Sequence, residues 1–114
     1  MFTVEELVAK VREIAKSRPD TIYYGTEQGC EYNAGRCSDG SIGCLFGQAM
    51  KELGETYLEY GGYIDSVLCG RDNLNIAKNG DRKVSWCLMV QNHQDNGDNW
   101  GACIKQSDAY YSEV

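Results

Sequence analysis

The sequence offers little positive charge: eleven Lys and Arg stand against seventeen Asp and Glu, for a net charge of -6. Such a balance repels a phosphate backbone, so nucleic-acid binding is disfavoured. The small basic groupings Lys10/Arg12/Lys16/Arg18 and Arg82/Lys83 sit among acids and read as solvated helix faces. No apolar run approaches the ~20 residues a membrane-spanning helix needs. The opening Met-Phe-Thr-Val-Glu-Glu-Leu has carboxylates where a secretory signal needs an apolar stretch, so the expected setting is the cytoplasm, with no membrane partner. There is one proline and one histidine, and two phenylalanines are set against eight tyrosines. A single histidine leaves a zinc site to the cysteines and gives a cysteine nucleophile one possible imidazole base.

What is present is ordinary globular composition, 42% hydrophobic and 25% charged, in 114 residues that fit one domain over 1–114. Six cysteines are too sparse for a disulfide scaffold, and four lie in helix-like apolar segments, so they are expected to be reduced thiols packed as small hydrophobes.

The periodicity predicts a mainly α fold, or a small α+β one. It has four to five short helices and a small β element between the first and second. Thr3-x-x-Glu6 is a capping box opening a helix with Val4, Leu7, Val8, Val11, Ile14 and Ala15 on one face, ended by Pro19. From 21 to 40, Thr21, Ile22, Tyr23, Tyr24 and Tyr32 are cut by glycines, as in one or two short strands or a hairpin. Ser41 is the expected cap of a second helix carrying Ile42, Leu45, Phe46, Ala49 and Leu53 and stopped by Gly54. Gly43 and Gly47 make a smooth strip on it where another backbone can approach. Two short helices are expected within 55–68 and a connection over 70–80. Asp81 should cap a helix with Val84, Trp86, Leu88, Met89 and Val90 and the polar continuation Gln91 to Gln94. Asp98 should cap a last helix holding Trp100, Ala102, Cys103 and Ile104, with fraying after 107.

Several motifs invite chemistry. Cys30, Cys37 and Cys44 are spaced more widely than paired ligands in common zinc sites, and a site completed by Cys69, Cys87, His93 or Cys103 ranks below simple packing. Cys44 falls in the first turn of the second helix, where the dipole favours a thiolate, but nothing in the sequence brings His93 to it. Residues 40–47 suggest a phosphate-cradling turn, yet match neither a dinucleotide fingerprint nor a P-loop. Aligning Gly97 to the glycine of an EF-hand puts Cys103 where a bidentate glutamate is required, so a calcium loop fails. The tyrosine excess suits a binding surface, built from Tyr57, Tyr60 and Tyr63 or from Tyr110 and Tyr111.

Two segments together resemble small proteins of unassigned activity encoded by phages and prophages of actinobacteria. One is Cys30-x-Tyr32 followed, after a polar turn, by Cys44-Leu45-Phe46-Gly47-Gln48-Ala49 and Leu53-Gly54. The other is Gln91-x-x-Gln94-Asp95-x-Gly97-x-x-Trp100-Gly101-x-Cys103. This chain departs from that pattern in a longer turn carrying Cys37, a glycine-rich middle and a cysteine at 103 where a smaller residue is usual. The resemblance implies a phage origin and a host-cell cytoplasmic setting, and brings no activity with it. The resulting expectation is a non-enzymatic accessory protein that binds a host protein during infection, without cofactor or metal. The alternatives are a small-molecule or nucleotide sponge using the second helix start, Arg36 and the Gln91/Gln94/Trp100 region, and a thiol or zinc protein. The candidate binding residues are Tyr32, Arg36, Cys44, Tyr57, Tyr60, Gln91, Gln94, Asp95 and Trp100.

Overall fold

The computed structural model describes residues 2–26, 31–55, 63–69, 76–78 and 80–114. Within them the chain is mainly helical: α1 (Val4–Ser17), α2 (Leu45–Glu52), α3 (Ile64–Leu68), α4 (Arg82–Asp95) and α5 (Trp100–Tyr110). The predicted capping box opens α1, with the Thr3 and Glu6 amides each donating to the other's side chain at 3.1 Å. All six residues predicted for its apolar face are buried. They pack on a core centred on Trp86, Trp100, Phe46, Leu45 and Met50, each fully buried.

Helix α2 starts later than Ser41 predicts. Gly43 has φ +96°, a conformation that interrupts any right-handed helix, so the turn begins only after it. Cys44 is the cap, its Sγ accepting from the Gly47 amide at 3.5 Å, and it therefore stands before the first turn rather than in it. Ile42, assigned by periodicity to the buried stripe, is instead 53% exposed on the β element. The Gly43/Gly47 strip does receive a backbone, that of Tyr32. A Cβ at either glycine would run into the Tyr32 carbonyl oxygen.

Helix α4 is capped by Asp81 as expected, through a 2.8 Å bond from the Lys83 amide. Its buried seam is Val84, Trp86, Cys87, Val90, Gln91 and Gln94, so the polar continuation turns inward. Gln91 Oε1 accepts the Ile64 amide at 2.7 Å, and Gln94 Oε1 accepts the Leu45 amide at 2.8 Å and Trp100 Nε1 at 3.2 Å. Ile64 and Leu45 are the first residues of α3 and α2, whose leading amides have no partner within their own helices. The two glutamines thus cap two other helices from a distance.

Helix α5 is capped by Asn99, one residue beyond the predicted Asp98, because the Asn99 side chain reaches the Ala102 amide at 2.8 Å. Its first two amides donate to Thr21 and Pro19 carbonyls at 2.9 and 2.8 Å, which fixes the chain leaving α1 against α5. Helix α5 continues past 107 through Tyr110. Arg82 then lies 4.9 Å over the Tyr111 ring and pairs with Glu113. Among the described residues no helix is long and apolar enough to cross a membrane.

Candidate functional site

Most of the predicted binding residues belong to the interior. Cys44, Gln91, Gln94 and Trp100 are fully buried and Tyr32 is 3% exposed, so none presents a surface to a ligand. The phosphate-cradling reading of the α2 start meets the same obstacle, since its amides are already engaged. Cys44 donates to the Glu31 carbonyl, Leu45 to Gln94 and Gly47 to the Cys44 sulfur. Arg36 and Asp95 are exposed, while Tyr57 and Tyr60 lie outside the described residues, as does Cys30. Tyr63 and Tyr110 are strongly exposed, and Tyr110 meets Tyr111 edge-on with ring centroids 4.8 Å apart.

The thiols are disposed for packing. Burial pushes Cys87 well above the ordinary thiol range and Cys103 up to about 12; nearby Asp81 raises the first and Asp98 the second. Cys37 and Cys69 are also raised, chiefly by burial, so none of these four is poised as a thiolate. His93 places Nδ1 3.2 Å from Asp98 Oδ2. Among the described residues no group of three His, Cys, Asp or Glu is placed to hold a metal ion. Cys69 is half-buried whereas Cys37, Cys87 and Cys103 are buried. Alkylation of the native protein at pH 8 followed by peptide mapping should therefore modify Cys69 first among these four, with the others reacting only on unfolding. Fast labelling of Cys87 or Cys103 would contradict the packing assignment.

Among the described residues, the surface with most binding character comes from the β element. Its ladder joins three short stretches. Tyr24 N–H donates to the Arg36 carbonyl and Ser38 N–H to that of Ile22. Cys37 N–H donates to Ser41 and Gly43 N–H to Gly35, all at 2.8–3.0 Å. Tyr23 pairs with Cys37 and Arg36 with Ile42, both antiparallel. Alternation then decides the faces. Tyr23 and Cys37 point inward at 4% and 2% exposure, the Tyr23 hydroxyl donating to the Ala34 carbonyl at 3.0 Å and accepting the Glu31 amide at 2.9 Å. Tyr24, Arg36 and Ile42 occupy the opposite face as a cross-strand row, with Tyr24 66% and Ile42 53% exposed. Arg36 was legible as a candidate. Tyr24 and Ile42 were not, because only the ladder register sets them beside it.

This row stands on a braced turn. Asp39 accepts the Ser41 amide at 2.9 Å and its hydroxyl at 2.5 Å, and its other oxygen takes Arg18 Nη1 at 2.6 Å. Arg18 also donates to Gln48 at 2.6 Å and lies 5.1 Å over the Trp100 ring, tying the turn to α1, α2 and α5. A face held this way loses little conformational freedom when it binds.

Partial burial opposes ionisation of Asp39, but the Ser41 hydrogen bonds and the Arg18 guanidinium outweigh it and hold its pKa down at about 2. A carboxyl depressed below its unfolded value of roughly 3.9 stabilises the fold above that pH. That contribution is lost as pH falls through about 2. Asp108 acts in the same direction, because Arg12 grips it at 2.6 and 2.7 Å and Trp86 Nε1 adds a bond at 2.9 Å. Thermal unfolding should show Asp39→Asn less stable than the parent at neutral pH, with the gap closing as the acid limb is descended. A constant gap would contradict the assignment.

Comparison with known protein families, with curated proteins and with solved structures returns no match for this chain.

Proposed function

We propose that this protein is a non-enzymatic binding module that docks a partner protein on the row Tyr24–Arg36–Ile42. The observation carrying the reading is that row itself: an aromatic ring, a guanidinium and an aliphatic side chain aligned on one exposed β face. Tyrosine and arginine are the residue types that dominate binding energy at interfaces, and a braced backbone beneath them favours rigid docking. The full burial of Cys44 as the cap of α2, its sulfur accepting the Gly47 amide, favours this over a thiol enzyme. The resemblance to phage-encoded proteins supports a host protein, met in the host cytoplasm during infection, as the partner.

The test is capture from actinobacterial lysate at physiological salt, comparing the parent with Tyr24→Ala, Arg36→Glu and Ile42→Ser. Truncating an interface anchor typically costs ~2 kcal/mol, so each single variant should lose about tenfold or more in affinity for one specific species. Tyr63→Ala and Tyr110→Ala should keep it. Equal capture by the β-face variants would remove the proposal, and loss confined to Tyr63 or Tyr110 would move the surface elsewhere.

A further inference from the structure

Gln48 lies on α2 one turn after the Cys44 cap and is half-buried, with its amide among the residues of the β element. A guanidinium only donates, so the amide oxygen is the atom that faces Arg18, accepting Nη2 at 2.6 Å. That orientation commits the nitrogen to the other side. Gln48 Nε2 donates to the Ser41 hydroxyl and to the Gly43 carbonyl, both at 3.0 Å. Ser41 and Gly43 flank Ile42, so one side chain grips the stretch 41–43 on either side of the residue it exposes.

The Ser41 hydroxyl uses its whole capacity in the same place. It donates to Asp39 and accepts from Gln48 and, at 3.3 Å, from Arg18 Nη1. The contacts close into a ring running from Arg18 to Asp39, Ser41, Gln48 and back to Arg18, in which each bond holds the next. The ladder itself supports Ile42 through Cys37 N–H on Ser41 and Gly43 N–H on Gly35, around a bridge too short to be stable alone. We propose that Gln48 is a positioning residue for the β face: by joining Arg18 to Ser41 and Gly43, it holds Ile42 in register beside Arg36. The inference rests on the β-face reading of function and names a residue that shapes that face from beneath.

Amide hydrogen exchange on the free protein, together with affinity for the purified species that the parent captures from lysate, tests this. Gln48→Met keeps the length and loses both functions of the amide, whereas Gln48→Glu keeps an acceptor for Arg18 and loses the donor to Gly43. Both variants should exchange Cys37 and Gly43 amides at least about fivefold faster and bind more weakly by a similar factor, the scale of one net hydrogen bond. Val67→Ala, a core truncation in α3, which packs on α4, should lower Tm yet leave both readouts unchanged. Parent-like exchange at Cys37 and Gly43 in Gln48→Met, parent-like binding by Gln48→Glu, or an equal loss in Val67→Ala would each overturn the proposal. Binding lost in Ile42→Ser but kept in Gln48→Met would overturn the positioning role alone, and binding kept in both would overturn the β-face reading with it.

Discussion

Replacing Gly47 with alanine is expected to destabilise the protein by about 2–4 kcal/mol, against a normal helix-interior expectation of a gain near 1 kcal/mol. Gly47 lies in the first turns of α2 with its Cα facing the backbone of Tyr32. The added methyl would overlap the Tyr32 carbonyl oxygen and crowd its carbon and Cα, all of them backbone atoms with no rotamer to escape into. The helix and the segment 31–33 would have to separate, and Cys44 N–H would be drawn away from the Glu31 carbonyl it meets at 3.2 Å. Urea unfolding would show the loss as a lower midpoint at unchanged slope. A neutral or stabilised variant would mean that no backbone lies against this strip.

Gln94→Leu should be at least as damaging, although it keeps the side chain's bulk and makes it more apolar. It strips the acceptor from two buried donors, the Leu45 amide and the Trp100 indole N–H, which have no water to turn to. Each orphaned donor costs about 1–3 kcal/mol, so a total of about 3–5 kcal/mol and a fall in Tm of roughly 15 °C are expected. In a domain whose whole stability is of the order of 5–15 kcal/mol, that is enough to populate unfolded chain near physiological temperature. Gln91→Leu strips the acceptor from the Ile64 amide at the start of the short α3 and should also destabilise the fold. Thermal unfolding of the Gln94 variant against the parent checks the prediction, and an unchanged Tm would contradict the two-donor role of Gln94.

These positions show where the sequence was readable. Helix α1 was fully legible because its apolar period and both ends of its capping box are local, and no distant residue alters them. Helix α4 was legible in extent but misread in orientation at its polar end. Gln91 and Gln94 stand seven residues after Val84 and Cys87, on the same buried seam, so their register pointed inward while their polarity suggested solvent. Polarity misleads there because what the glutamines satisfy, the amide ends of α2 and α3, is invisible until the helices are packed. The start of α2 was misplaced for a related reason. Ser41 has cap chemistry, but it is recruited to the Asp39 turn, and Ile42 is drawn off by its pairing with Arg36.

The candidate site was least legible of all. Tyr23 and Tyr24 are chemically identical neighbours, yet one lies in the core and the other faces outward, and the choice is made by pairing with Cys37 and Arg36. That register depends on the Asp39–Ser41 turn and its Arg18 brace, a contact across 21 residues of sequence. Arg36 alone, as an exposed cation in an acidic chain, could be picked out beforehand. The glycine strip was read correctly as a place of close approach, while the identity of the approaching segment required the fold.

The claim at the centre of the functional account is that the buried glutamines, Trp100 and Cys44 build the scaffold while the β face makes the contact. Hydrogen exchange of the protein bound to its captured partner tests this directly. Added protection should cover 22–24 and 36–43, with the α4 and α5 amides already slow in the free protein and little changed. Protection confined to the Tyr110–Tyr111 end of α5, or to α4 around Gln91 and Gln94, would contradict it.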